Sequence, residues 1–162
     1  MTIPRVPTDT AQALSPGQRH ALEHFYGALA TRNVDLVDQA LTSDWEDIPL
    51  APGQAAGPEG VKPIFRMLIS AFPDISTEIT EVLAETGRAA TRGVVAGTHR
   101  GELFGVPASG KFVHFAFHDF HEFEGDRLRR TYHMEDLFGL FAQIGAWLKS
   151  HGQMPCFTGL RP

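Results

Sequence analysis

The feature that most constrains the fold is a change of hydrophobic period in the middle of the chain, at Pro73 and Asp74. Before this point apolar residues recur at steps of three and four, which is the period of amphipathic helices. After it they alternate, which is the period of half-buried strands. Helices that precede a run of strands, rather than alternating with them, favour an α+β domain. We therefore expect a curved antiparallel sheet packed on N-terminal helices, followed by one C-terminal helix.

The predicted helices and strands follow from caps, breakers and periodicity. Helices are expected at Gly17–Thr31, from Asn33 to about Ser43, at Pro58–Phe72 and, behind an Asp136 cap, up to about Leu148. Strands are expected at Trp45–Ile48, Ile75–Leu83, Ala90–Thr98, Phe112–Phe123 and Leu128–Glu135. We divide the chain into a flexible leader at 1–16, a single domain at 17–150 and a tail at 151–162.

Composition narrows the class of protein. A chain of 162 residues is one domain that can bury about 70% of its unfolded surface. A net charge of −5 argues against nucleic acid and anionic membranes as partners. The single cysteine, Cys156, excludes an internal disulfide and fits a reducing compartment. Since no run approaches about 20 apolar residues and the N-terminus lacks a basic start before an apolar stretch, we expect a cytoplasmic protein.

The sequence lacks the motifs that identify several classes of enzyme and nucleotide-binding protein. The sequence has no Gly-x-Gly-x-x-Gly, no phosphate loop ending in Gly-Lys-Ser/Thr and no Gly-x-Ser-x-Gly elbow. Cys156 lies near His151, but nothing around this pair indicates an activated thiolate. The sequence therefore does not favour a nucleotide-binding protein, a serine hydrolase or a cysteine enzyme.

Histidines are concentrated on one predicted strand, which carries His114, His118, Asp119 and His121. Because side chains alternate between the faces of a strand, the first two point one way and the last two the other. A zinc or iron site needs three ligands that converge on one centre, so this alternation weakens a metal site. We expect no metal and no other cofactor, and we expect His114 and His118 on the outer face, where they could contact a second subunit.

The pairing of this strand with the next one decides which residue meets Asp119. A two-residue turn at Gly125-Asp126 would place Asp119 opposite Tyr132. A three-residue loop ending at Arg127 would place Asp119 opposite His133, with the side chains close enough for a carboxylate to bond an imidazole. The residues alone leave both registers open.

Four segments of the chain resemble the SnoaL-like polyketide cyclases, also called ester cyclases. The most specific is the loop from Gly97 to Lys111, GTHRGELFGVPASGK. It is supported, in the same order and spacing, by Gly57–Lys62, Ala71–Asp74 and Asp136–Gly145, so that the resemblance covers about residues 18–145. It implies a cone-shaped α+β fold of the nuclear-transport-factor-like superfamily, with one apolar pocket and assembly into dimers or tetramers.

The resemblance also implies a chemistry: intramolecular aldol ring closure of a polyketide by an acid/base Asp with a His beside it, without metal or organic cofactor. The family's His position falls on Asp119 and its Asp position on His133, so the two residue types are exchanged here. This correspondence favours the register that places Asp119 opposite His133. Trp45 and Asp47 match positions at the mouth of the family's pocket.

We therefore expect a pocket enzyme that closes a ring on an apolar small molecule. In this hypothesis His133 takes the proton, Asp119 orients it, and His99 or Asp47 polarises a substrate oxygen. The apolar shape of the pocket is expected to come from Phe115, Phe117, Trp45, Phe65 and Leu68. His99 could equally pack the loop that follows it. The alternatives are a non-catalytic small-molecule binding protein of the same fold and a hydroxylase or isomerase that uses the same pocket.

Overall fold

The computed structural model describes residues 2–6 and 14–146 and has the predicted α+β architecture. The helices are α1 (Pro16–Ala30), α2 (Val37–Ala40), α3 (Pro58–Ala71) and α4 (Leu137–Ile144). The strands are β1 (Leu41–Ile48), β2 (Ser76–Glu85), β3 (Arg88–Thr98), β4 (Phe112–Glu124) and β5 (Arg127–Glu135). They form one open sheet in the order β1-β5-β4-β3-β2.

The sheet is mixed, whereas the sequence led us to expect an antiparallel one. Strands β2 to β5 form the predicted antiparallel meander. Strand β1 enters the sheet from the helical half of the chain and pairs in parallel with β5, which places it at the edge. The pocket-mouth candidates Trp45 and Asp47 therefore lie beside β5, the strand that carries His133.

The second helix is shorter than the prediction from Asn33 to Ser43. A 3₁₀ turn at Val34–Leu36 leads into α2, and the extended backbone begins at Leu41. Leu41 fits the apolar stripe of a helix equally well, but in the sheet it pairs with Leu128, and both side chains are buried. Burial against a strand distant in sequence decided the conformation, which a local periodicity cannot show.

The β4–β5 hairpin combines features of both predicted registers. The turn is the two-residue one at Gly125-Asp126, with φ of +57° at Gly125, and Glu124 pairs with Arg127. An irregularity after Glu122 then shifts the pairing by one residue, so that Glu122 lies opposite Arg130 and Asp119 opposite His133. A β-bulge in β5 thus produces the register that the turn alone would not give.

The core lies between the inner face of the sheet and helices α1, α3 and α4. Helix α1 begins with a capping box in which Ser15 and Gln18 satisfy each other's backbone N–H groups. Val6 and Leu14, from the predicted leader, are buried in this core, and the Val6 N–H donates to Glu23. The last helix ends at Ile144, where Gly145 adopts a left-handed conformation, and not near Leu148 as predicted. The predicted tail, with His151 and Cys156, lies outside the described residues. None of the helices within the described residues is both long and apolar enough to cross a bilayer.

Gly93 on β3 has a packing role that can be tested by substitution. A Cβ at this position would overlap the Glu78 carbonyl oxygen and the ring of Phe117. We expect Gly93→Ala to lower the free energy of unfolding by about 1–3 kcal/mol, because the strand and ring must shift. Gly27→Ala in α1 is the matched control, since there the new methyl meets only the Ile3 side chain and gains helix propensity. Urea unfolding of both variants measures the difference, and equal midpoints would contradict this account.

Candidate active site

Asp119 is a carboxylic acid buried on the inner face of β4, with a side chain only 5% exposed. Its Oδ2 accepts a hydrogen bond of 2.7 Å from the Tyr26 hydroxyl of α1, while its buried Oδ1 has no partner among the described residues. Burial raises the pKa of Asp119 to about 7; the Tyr26 hydrogen bond and the charge of His133 oppose this rise, and Glu135 and Asp47 add to it. Asp119 is thus set to exchange a proton near neutral pH.

His133 points to the same inner face from β5, and acceptors meet both of its ring nitrogens. Nδ1 lies 2.9 Å from Glu135 Oε1, and Nε2 lies 2.7 Å from the Pro49 carbonyl oxygen. Since a carboxylate and a carbonyl only accept hydrogen bonds, both nitrogens carry protons and the ring is an imidazolium. Burial alone would lower the pKa of His133, but Glu135, Asp47 and the Pro49 carbonyl raise it to about 9.

Asp47 completes the ionisable group at the edge of the sheet. Its Oδ1 lies 3.5 Å from His133 Nε2, and its Oδ2 accepts a 2.7 Å hydrogen bond from Gln54 in the loop after β1. Burial raises the pKa of Asp47, while His133 and Gln54 lower it. The loop that supplies Pro49 and Gln54 therefore fixes both His133 and Asp47 against the sheet.

The predicted pair is thus adjacent, but it lacks the direct hydrogen bond that we expected. Asp119 and His133 are opposite each other on neighbouring strands and share one face. Their polar atoms have other partners: Tyr26 for Asp119, and Glu135 and Pro49 for His133. The two groups interact through their charges instead, so that His133 stabilises the ionised form of Asp119.

Sequence reasoning missed the buried polar residues behind Asp119. His121 Nε2 lies 2.8 Å from the Tyr26 hydroxyl, and His121 Nδ1 lies 3.1 Å from Thr131 Oγ1. The indole N–H of Trp45 donates to the same Thr131 oxygen over 3.0 Å. One signal was available: Tyr26 lies within the apolar stripe of the first helix, and a buried tyrosine hydroxyl usually finds a hydrogen-bond partner.

An open depression of about 390 Å³ borders β1 and is lined by two of the predicted substrate contacts, Trp45 and Asp47. Phe65, Phe115 and Phe117 lie in the core, and Leu68 packs against it at partial exposure. Phe117 stacks on Tyr26 with ring centroids 5.0 Å apart, so it supports the partner of Asp119. None of these four apolar side chains lines the depression, and their role as substrate contacts stays a prediction.

The structure does not bring His99 to the other candidates. His99 is fully buried and its Nδ1 interacts with the hydroxyl and backbone N–H of Ser109. Asp119 lies opposite Thr91 on β3, eight positions from His99, which is about 25 Å of strand. This geometry supports the alternative that we left open, in which His99 packs the loop that follows it.

Three other polar residues named in the sequence analysis lie outside the group around Asp119. The Asp136 side chain accepts from the Gly139 N–H and caps α4. His114 and His118 are exposed on the outer face of the sheet. Among residues 2–6 and 14–146, no three His, Cys, Asp or Glu side chains converge into a group that could hold a metal ion.

The inner face therefore offers the elements of proton-transfer chemistry. It has a buried carboxyl group that titrates near neutrality, with an imidazolium nearby; Tyr26 holds one carboxyl oxygen, and the other has no partner in the described part of the chain. An imidazolium can stabilise negative charge that develops on a substrate oxygen. Such a pair can remove a proton from an acidic carbon and return it to an oxygen.

Comparison with solved structures shows the same fold in several proteins. A candidate polyketide cyclase from Bacillus cereus ATCC 10987 is 24% identical, with 90% of this chain and 94% of that chain covered and a TM-score of 0.74. TsrD from Streptomyces laurentii is 25% identical over 82% of this chain and 98% of its own, with a TM-score of 0.75. AclR from Streptomyces galilaeus, a candidate hydroxylase, is 18% identical over 80% of this chain and 85% of its own, with a TM-score of 0.68.

A search of curated proteins gave no match. The family model described as SnoaL-like polyketide cyclase matches residues 19–144, which agrees closely with the resemblance read from the sequence motifs. This match confirms that resemblance and spans all the helices and strands from the body of α1 to the end of α4. The chain therefore belongs to the SnoaL-like polyketide cyclase family.

Proposed function

We propose that this protein is an enzyme that closes a carbon ring in an apolar polyketide by an intramolecular aldol reaction, with Asp119 as the general base. The observation that carries the proposal is the asymmetry of the Asp119 carboxylate. One oxygen is held by Tyr26, while the other is buried and has no partner among the described residues. An unpaired buried carboxylate oxygen is costly to maintain, so a native protein that keeps one calls for a functional explanation.

The roles of the pair are exchanged with respect to our expectation from the sequence. A base must have a free lone pair, and both nitrogens of His133 already donate, to Glu135 and to Pro49. Asp119 has that lone pair on Oδ1. In the proposed mechanism His133 stays positively charged and stabilises the negative charge that passes from Asp119 to the substrate.

The proposed reaction is balanced without any further reagent. Asp119 Oδ1 removes a proton from a methylene group between two carbonyls, and the resulting enolate carbon attacks a distant carbonyl of the same molecule. One carbon–carbon bond forms, the attacked carbonyl oxygen becomes an alkoxide, and Asp119 returns the proton to it. Because such a methylene is already fairly acidic, a carboxylate with a pKa of about 7 is a sufficient base, and the step requires no metal or organic cofactor.

Asp47 and Trp45 support a substrate site beside this pair. Both line the depression along β1, and Asp47 also lies 3.5 Å from His133. A substrate in this depression would therefore contact Asp47, the member of the ionisable group that lines it. Holding the chain folded, with its reacting carbons in contact, can supply about 7–11 kcal/mol of the barrier reduction, which makes shape as important as the base.

The first prediction concerns Asp119 itself. Asp119→Asn should lower the rate of ring closure of a poly-β-ketone substrate by about 10²–10⁴-fold, because the amide cannot accept the proton. Asp35→Asn, the same change on an exposed residue, is the matched control. Chromatography of cyclised product over time measures both. Turnover by Asp119→Asn at the parent rate would exclude this mechanism, and binding without turnover in the parent would favour a small-molecule binding protein.

The second prediction concerns pH. Ring closure needs Asp119 ionised, so kcat/KM should rise with pH up to about 7, and it needs His133 protonated, so kcat/KM should fall above about 9. His133→Gln should remove the upper limb and move the lower one to higher pH, because the positive charge that favours ionised Asp119 is lost. A parent profile that is flat between pH 5 and pH 8, measured with the same substrate, would contradict the assignment of Asp119 as the base.

We also propose that the protein forms a homodimer through the outer face of the sheet. This face exposes large apolar side chains, namely Leu83, Phe112, Phe120, Tyr132 and Met134. Several charged residues around them are paired within the chain, namely Arg92 with Glu81 and Arg130 with Glu122. Such pairing reduces like-charge repulsion between two copies of the patch, and exposed apolar patches of this kind are typical of subunit interfaces.

Light scattering during gel filtration tests the dimer. The parent should elute with twice the mass of one chain, and Phe120→Glu combined with Met134→Glu should give single chains, because the new charges would be buried against each other. Leu50→Glu, which changes another exposed apolar residue, in the loop after β1, should leave the dimer unchanged. A monomeric parent would exclude the proposal.

A further inference from the structure

A continuous run of buried hydrogen bonds connects the edge strand β1 to the carboxylate of Asp119. It passes from Trp45 Nε1 to Thr131 Oγ1 over 3.0 Å and on to His121 Nδ1 over 3.1 Å. From His121 Nε2 it continues to the Tyr26 hydroxyl over 2.8 Å and ends at Asp119 Oδ2 over 2.7 Å. No member is more than 5% exposed. We call the four side chains before Asp119 the relay: Trp45, Thr131, His121 and Tyr26.

The direction of these hydrogen bonds follows from counting protons. The indole of Trp45 can only donate, so the Thr131 oxygen accepts from it. Burial lowers the pKa of His121 to about 3, with a contribution from the positive charge of His133, so this ring is neutral and carries one proton. Burial and the charge of Asp119 raise the pKa of Tyr26 well above its ordinary value, so its hydroxyl keeps its proton.

With Asp119 ionised, one arrangement uses every proton of the relay once. Thr131 donates to His121 Nδ1, His121 Nε2–H donates to the Tyr26 oxygen, and Tyr26 donates to Asp119. In the opposite arrangement His121 Nε2 would need the one Tyr26 proton, and the ionised Asp119 oxygen would lose its donor. The ionised carboxylate, which can only accept, therefore fixes the direction of the run, and the Trp45 N–H, which can only donate, fits the other end of it.

We propose that the relay is a positioning device for Asp119, which holds Oδ2 with a hydrogen bond of fixed direction and leaves Oδ1 as the oxygen that takes the proton. The inference rests on the proposed function only for where that proton comes from. The four relay side chains orient the Asp119 carboxylate and keep it ionised in the protein without substrate as well. The relay residues act through Asp119 and are positioning residues.

The remaining surroundings of Asp119 do not replace the relay. His133 and Glu135 face it from β5, Asp47 from β1 and the uncharged Thr91 from β3, and none of these four donates a hydrogen bond to its oxygens. His133 favours the ionised carboxylate, and the two acidic residues oppose it. Tyr26 is thus the single hydrogen-bond donor to Asp119 within the described residues.

The experiment is a pH titration of the Asp119 carboxyl carbon by ¹³C NMR, on the full chain without substrate, with Asp119→Asn to assign the signal. Tyr26→Phe should raise the pKa of Asp119 by about one unit, because a hydrogen bond to the charged form is lost. Thr131→Val should raise it by a smaller amount, although Thr131 does not touch Asp119. Thr131→Ser, which keeps the hydroxyl, should restore the parent value.

Thr77→Val is the matched control, since Thr77 is a buried threonine on β2 whose hydroxyl has no partner among the described residues. It should leave the titration of Asp119 unchanged. An unchanged pKa of Asp119 in folded Thr131→Val, or equal shifts in Thr131→Val and Thr77→Val, would overturn the proposal. Should Tyr26→Phe fail to fold, the three threonine variants still decide the question.

The outcome is separable from that of the proposed function. If Asp119→Asn retains full turnover, the aldol mechanism fails, while a titration that responds to Thr131→Val still establishes the relay. If the titration does not respond, the relay fails, and loss of turnover in Asp119→Asn still supports the aldol mechanism. With turnover present, Thr131→Val should also move the acid limb of the kcat/KM profile by the shift that NMR measures.

Discussion

The hydrogen bond between the Tyr26 hydroxyl and Asp119 Oδ2 is the interaction on which the arrangement of the inner face depends. It connects the first helix to the central strand β4, 93 positions later in the sequence. The ring of Tyr26 stacks on Phe117, and Phe117 in turn lies against the backbone at Gly93, where no side chain could fit. Core packing thus fixes the position of the Tyr26 hydroxyl, and this hydroxyl orients the Asp119 carboxylate. The geometry of the ionisable group therefore depends on how closely the core is packed.

This arrangement has an energetic cost that ordinary surface pairs do not have. A rise in the pKa of Asp119 from 3.8 to about 7 corresponds to roughly 4 kcal/mol against ionisation in the fold. The cost would be larger without Tyr26 and the positive His133, both of which favour the charged form. His133 remains charged because Glu135 and Pro49 satisfy both of its nitrogens. The domain therefore holds, within a well-packed core, one carboxyl group whose ionisation is unfavourable, and such groups are typical of functional sites.

The sequence predicted the fold and, through the family resemblance, the register that places Asp119 opposite His133, and what it missed has physical reasons. The change from helical to alternating periodicity was a local signal, so the order of helices and strands could be inferred from it. The direction of β1 and the conformation at Leu41 depended on pairing with β5, which no local pattern contains. The position of Asp119 opposite His133 required a bulge in β5 as well as the turn. The partners of both side chains, Tyr26 and Glu135, could be identified only once α1 and β5 had been placed in space.

Strand β4 shows why the polar residues that seemed to form one cluster in the sequence serve different purposes. The alternation of a strand sends Asp119 and His121 to the buried face and His118 and Phe120 to the exposed one. On the buried face each polar group needs a hydrogen-bond partner, and His121 finds its partners in Tyr26 and Thr131. Thr131 also accepts from Trp45, so the network reaches the edge strand. On the exposed face water satisfies polar groups, so the large apolar side chains are what require explanation there. Strand β4 is therefore better understood as two independent surfaces: one holds Asp119 and His121 in a buried hydrogen-bond network, and the other exposes the apolar side chains for which we propose a subunit contact.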